Sequence, residues 1–93
     1  MSNKRLHAIV SGYVQGVSFR YYTRLEAQQL GLTGWVVNRP DGTLEVVADG
    51  PQRKLQALAR FLLEGPPLAE VRHVQVDWLE PAEEHVEFVV LYL

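Results

Sequence analysis

Leu6, Ala8 and Val10 alternate with His7, Ile9 and Ser11, the period of two that marks a strand with one face toward a core. The strand is predicted from Arg5 to Gly12. After it the period changes. Phe19, Thr23, Ala27 and Leu30 recur at spacings of four, four and three, the inward stripe of a helix predicted from Phe19 to Leu30, with Gly31 as the residue just past its end. Arg24, Glu26, Gln28 and Gln29 fall mostly on its outer side. A second strand is predicted at Gly34 to Asn38, with Trp35 and Val37 on one face and Val36 on the other. Arg39-Pro40-Asp41-Gly42 reads as a tight hairpin turn, with proline at the second position of a type I turn and Gly42 as the left-handed closing residue. Strand three, Thr43 to Ala48, turns Leu44, Val46 and Ala48 one way and Glu45, Val47 and Asp49 the other. Gly50-Pro51 ends it, and Pro51 is placed at the first position of the next helix. Leu55, Leu58, Ala59 and Leu62 give that helix its apolar stripe, and Gly65-Pro66-Pro67 stops it. A fourth strand from Arg72 to Trp78, a charged connection from Glu80 to Glu84 and a last apolar strand from Val86 to Leu91 complete the chain. No internal repeat, linker or low-complexity segment interrupts the order.

That order, β-α-β-β-α-β plus a short C-terminal strand, suits an α+β fold: a ferredoxin-like α/β sandwich with two helices on one face of an antiparallel sheet. Ninety-three residues make one domain, 1–93, with room for a core that needs no metal or disulfide staple. In such a fold strands one and two run parallel with strand three between them. Their C-terminal ends then share one edge of the sheet, two strand spacings or about 10 Å apart.

The first of those ends is the stretch Val10 to Arg20, which carries Gly12 and Gly16 in the connection to the first helix. A loop feeding a helix N-terminus aims unpaired N–H groups at one point, and glycine permits the positive φ that turns successive amides inward around an anion. Arg20 adds a planar fork suited to phosphate or carboxylate. Ordinary turn chemistry and a solvated arginine explain the same residues, and spacing alone leaves both readings open. A nucleotide P-loop is excluded, because no Gly-Lys-Ser/Thr follows the glycines, and so is a Gly-x-Gly-x-x-Gly dinucleotide fingerprint. At the second end stands Asn38, which reads either as the partner of Arg20 across the edge or as a turn-initiating asparagine.

The run Val10-x-Gly12-x-Val14-Gln15-Gly16-Val17-x-Phe19-Arg20-x-x-Thr23, followed by Ala27-x-x-Leu30-Gly31-Leu32-x-Gly34-Trp35-Val36-x-Asn38 and Asp41-Gly42, resembles the signature of the acylphosphatase family. The second half of the chain agrees in length and element order only. The resemblance implies the ferredoxin-like fold and metal-independent hydrolysis of acyl phosphates to carboxylate and inorganic phosphate. It also implies that Arg20 binds the phosphate with the backbone amides of Gln15, Gly16, Val17, Ser18, Phe19 and Arg20. Asn38 then orients the attacking water. Two positions depart from the family pattern: Ser18 stands in a variable slot that often holds a larger residue, and Leu91 stands where relatives often carry a basic one.

Composition narrows the chemistry further. Without cysteine there is no disulfide, thiolate metal site or cysteine nucleophile, which excludes a phosphatase working through a phosphocysteine. His7, His73 and His85 show no partner at a recognisable spacing, and neither a metal nor a cofactor is expected. Tyr21, Tyr22 and Tyr92 read as packing or surface residues, Trp35 and Trp78 as core or core-edge, and Glu83 and Glu84 as a solvated loop. The formal charge is −2, but five basic residues and one acid precede Asp41 while four basic and ten acidic residues lie from Asp41 onward. A basic half of +4 holding the loop favours a small anionic ligand through its local field. No signal peptide or transmembrane helix is read from the basic start Met1 to Arg5, so a cytoplasmic monomer is expected, with no membrane or nucleic-acid partner and with inorganic phosphate or sulfate competing for the site. Two other classes share this element order. RNA-recognition domains stack bases on strand-three aromatics, which Thr43 to Ala48 lacks, and silent regulatory domains bind small ligands without turnover.

Overall fold

The computed structural model describes residues 3–93; Met1 and Ser2, at the basic start, lie outside the described residues. The elements are β1 (Lys4–Tyr13), α1 (Phe19–Gln29), β2 (Thr33–Asn38), β3 (Leu44–Gly50), α2 (Gln52–Glu64), β4 (Glu70–Leu79) and β5 (Phe88–Leu91). They form one five-stranded sheet in the order β4-β1-β3-β2-β5. Four strands pair antiparallel, as expected. β5 is the exception: it lies parallel to β2, with Gly34 opposite Phe88 and Val37 opposite Leu91, which makes the sheet mixed.

The predicted alternation decides which side of the sheet is covered. Leu6, Ala8 and Val10 of β1, Val36 of β2 and Leu44, Val46 and Ala48 of β3 are fully buried with Phe19 and Ala27 of α1 and Leu55, Leu58 and Leu62 of α2. The opposite phase, Arg5, His7, Glu45, Val47 and Asp49, lies on the helix-free face. Shifting any of these strands by one residue would exchange the two sets, so the hydrophobic pattern sets the register. Among the described residues no helix is long and apolar enough to cross a membrane.

Several boundaries differ from the sequence reading. β1, β3 and β4 run beyond their predicted ends, while β5 begins at Phe88 rather than Val86, since pairing with a neighbour continues where the apolar alternation has stopped. Pro51 is the N-cap of α2 rather than its first helical residue, with extended backbone at φ −63° and ψ 141°. Trp78, expected at the core or its edge, is 43% exposed, because it sits on the edge strand β4.

Gly12 belongs to β1 rather than to the connecting loop. The strand carries a bulge between Ser11 and Gly12, and Gly12 has φ +127°. A Cβ there would run into the Glu70 carbonyl and the Arg72 amide of β4. Its glycine serves a close approach of two backbones; the loop's own turn is made elsewhere.

Candidate active site

The loop between β1 and α1 is short and held on both sides. Val14 and Val17 are buried in the core at 1% and 6% exposure, which fixes its ends from below. Between them Gly16 has φ +74°, and Ser18, just before the helix, has φ +62°. These two left-handed residues turn the loop, a role the sequence reading had given to Gly12 and Gly16. Ser18 occupies the N-cap position, but its side chain caps no amide. The first hydrogen bond into α1 runs from the Tyr22 amide to the Ser18 carbonyl at 3.1 Å. Among the described residues, the amides of Gln15 to Arg20 donate to no backbone carbonyl outside the regular elements. They are the open end of the helix.

Gln15 does a different job with its side chain. Its Nε2 donates to the Arg39 carbonyl at 2.8 Å and to the Thr43 carbonyl at 2.9 Å, both in the β2–β3 hairpin. That hairpin is closed by Arg39 N–H to the Thr43 carbonyl at 2.8 Å and Gly42 N–H to the Arg39 carbonyl at 3.1 Å. Asp41 accepts from the Thr43 hydroxyl at 2.6 Å and the Thr43 amide at 3.0 Å, and these bonds hold its carboxyl below the usual carboxylate range. Asn38, the last residue of β2, is thereby carried on an element tied directly to the loop.

Loop and hairpin face one cleft of about 410 Å³. Gly16, Ser18, Phe19 and Arg20 line it from one side and Asn38 from the other, with Val14 at the base. The buried Asn38 Oδ1 has no hydrogen-bond partner. Gln15 and Val17 do not line the cleft; one faces the hairpin and the other the core. The remaining wall is Tyr21, Arg24, Val90 and Tyr92. The Arg20 guanidinium lies 4.9 Å from the centroid of the Tyr92 ring, and that of Arg24 lies 5.9 Å from the centroid of Tyr21. Among the described residues neither arginine forms an ion pair, and no carboxylate lines the cleft. Two guanidiniums, an open helix terminus and no acid make this a site for anions.

Arg24, Tyr21 and Tyr92 are the lining residues that sequence reasoning missed. Arg24 was assigned to the outer side of its helix, yet its spacing of four from Arg20 puts both on one face. That signal was present in the sequence. Tyr92 had no such signal, because it reaches the cleft only through the parallel pairing of β5 with β2.

His7 and His85 find carboxylate partners that no spacing along the chain indicated, and the charged connection is not wholly solvated. His7 Nε2 lies 2.6 Å from Glu45 Oε2 on the helix-free face. His85 Nδ1 lies 3.0 Å from Asp49 Oδ2. Arg5, 6% exposed, donates to both oxygens of Asp49, at 2.7 and 2.9 Å, and to Glu83 Oε1 at 2.7 Å. Glu83 is therefore part of a clasp rather than a free solvated residue. Burial pushes the Asp49 carboxyl up, but the hydrogen bonds and charges of Arg5 and His85 outweigh it and hold its pKa below the ordinary value. The clasp stands at the N-terminal end of β1, away from the cleft, and anchors the connection that leads to β5.

The acylphosphatase family model matches residues 6–90. An acylphosphatase of Pelotomaculum thermopropionicum is 47% identical over 92 residues, covering 99% of this chain and all of the relative. One from Thermococcus kodakarensis is 47% identical over 81 residues, covering 87% and 89% of the two chains. The crystal structure of the acylphosphatase from Bacillus subtilis superposes with a TM-score of 0.92 at 38% identity, covering 96% of this chain and 99% of that one. With the fold, the signature run and nearly full-length similarity in agreement, the chain belongs to the acylphosphatase family.

Proposed function

We propose that this protein hydrolyses small-molecule acyl phosphates by direct, metal-independent attack of water at phosphorus, with Arg20 and the amides of the loop residues that line the cleft holding the phosphoryl group and Asn38 orienting the water. The observation that carries the reading is the meeting of Arg20, an open helix terminus and Asn38 in one acid-free cleft.

The chemistry asks for little else. Water oxygen bonds to phosphorus as the bond from phosphorus to the acyl oxygen breaks. The carboxylate leaves with that electron pair, and both protons of the water end on the phosphate. A carboxylate whose conjugate acid has a pKa of about 4 leaves without protonation, so no general acid is needed. The phosphoryl transition state is loose and draws little on the nucleophile, so a strong base matters less. What remains is stabilisation of three equatorial oxygens and alignment of one water. A guanidinium and a cradle of amides supply the first. Asn38, which lines the cleft with Arg20, supplies the second through its side-chain amide. Tyr92 stacks on Arg20 and limits the guanidinium's freedom before substrate arrives.

Inorganic phosphate, the product, fits the same cradle, and sulfate shares its shape; both compete with substrate. The protein acts as a monomer in the cytoplasm. A nucleic-acid role is disfavoured by the helix-free face, where RNA would lie: β3 places Glu45 there, and β4 adds Asp77 opposite His7. The test is release of phosphate from benzoyl phosphate in the presence of a chelator. Turnover unaffected by chelation, with competitive inhibition by phosphate, supports the reading. Absence of turnover, or dependence on added divalent metal, overturns it.

A further inference from the structure

From the unclaimed cation of the cleft we infer that Arg24 makes this a site selective for acyl phosphates whose acyl part carries a second negative group, a carboxylate or a phosphate. This deepens the proposed hydrolase reading and rests on it. Arg24 lines the cleft one helical turn beyond Arg20. Its Nε is buried and has no hydrogen-bond partner, so no group of the protein compensates this part of the guanidinium. Among the described residues it forms no ion pair, although acids outnumber bases in the chain as a whole. The nearby Tyr21 ring gives the guanidinium a face to rest on without neutralising it.

The phosphoryl group needs one guanidinium, and Arg20 with the loop amides supplies it. Arg24 is then left over for another part of the substrate. Arginines four apart on a helix stand side by side, about 5–6 Å between their Cβ atoms. An acyl chain of three or four bonds of about 1.5 Å each covers that distance. A distal anion therefore meets the Arg24 fork while the phosphate stays in its cradle. A neutral acyl group leaves Arg24 as it was and gains nothing there. The distal anion is bound in both ground and transition states, so the gain appears in KM more than in kcat.

The experiment compares succinyl phosphate with butyryl phosphate, which have the same number of acyl carbons and differ in one terminal carboxylate. A 3-phosphoglyceroyl phosphate arm asks whether a phosphate serves in place of the carboxylate. Wild-type protein is expected to favour the anionic substrates in kcat/KM by about tenfold or more, the size of one charge-assisted hydrogen bond, and this preference is expected to shrink as salt screens it. Arg24→Gln is expected to abolish the preference, and Arg24→Lys to restore part of it. A wild-type protein that hydrolyses butyryl phosphate but shows no preference for either anionic substrate overturns this inference and leaves the hydrolase reading standing. A preference that survives Arg24→Gln overturns it equally. Failure of the wild type to hydrolyse any of the three overturns both. The comparison of substrates on wild-type protein can overturn the inference even if the variants fold poorly.

Discussion

Gln15→Glu exchanges a single amide nitrogen for oxygen at the tie between the loop and the hairpin. In the native protein Nε2 donates to two carbonyls at 2.8 and 2.9 Å. Each carbonyl also accepts from a hairpin amide, so losing Gln15 orphans neither, and the cost is that of two net hydrogen bonds, about 1 kcal/mol each. At neutral pH the introduced carboxylate also faces two carbonyl oxygens with no proton to offer. The total loss is then about 3 kcal/mol. For a domain of this size that lowers Tm by roughly 12–24 °C, at about 4–8 °C per kcal/mol. The sign with pH follows from the same geometry. Facing two acceptors raises the pKa of the introduced carboxyl in the folded state above its unfolded value near 4.3. The variant's deficit is therefore greatest above the folded pKa, shrinks as pH falls through it, and is constant below about 4.3, where the protonated group donates one hydrogen bond again. Urea unfolding of both proteins from pH 4 to 8, with kcat on benzoyl phosphate measured alongside, tests this. A deficit below about 0.5 kcal/mol at pH 7, or one that grows as pH falls, refutes the claim that this side chain ties loop to hairpin.

The other outcomes can be checked with the same two assays. Arg20→Lys should cut kcat/KM by about 100-fold or more and weaken phosphate inhibition, because a point charge cannot replace a planar fork; near-native turnover would exclude bidentate holding of the phosphoryl group. Asn38→Ala should lower kcat by about 100-fold, the size of one lost preorganised donor or acceptor, with phosphate inhibition nearly unchanged; a parallel loss of inhibition would make Asn38 a binding residue. Asp49→Asn should cost about 3 kcal/mol at pH 7, since it leaves the buried Arg5 without its main partner. Because the Asp49 pKa is lowered in the folded protein, the stabilisation it supplies is present above the unfolded value near 3.9 and is lost as pH falls through the lower folded value. Thermal melts of wild type and Asp49→Asn should then converge in acid, and a constant gap down to pH 2 would show that the charge is not the cause.

How much of this was legible beforehand varied by element. The α1 stripe of Phe19, Thr23 and Ala27 and the core phases of β1 and β3 are local periodicities. Burial of one face follows from them whatever the neighbours are. Arg20 and Asn38 were both within reach, since a split β-α-β order brings the ends of β1 and β2 to one edge, and they do line one cleft. The turn of the loop was only half read. Gly16 was found, but its left-handed companion is Ser18, a residue type that gives no warning of positive φ. Gly12, which looked like loop chemistry, is explained by a backbone on β4 some sixty positions away.

What local order determined by itself is the set of elements and the side of each that is buried. These depend on spacings of two to four residues, and a chain carries them wherever it folds. The tertiary structure alone decided that β5 runs parallel to β2 and so delivers Tyr92 onto Arg20, that Arg5, Asp49, Glu83 and His85 close a clasp, and that no acid meets Arg24 in the cleft. Each of those depends on a match, or a missing match, between distant groups, and such pairings leave no period along the chain because they are settled only when the sheet assembles.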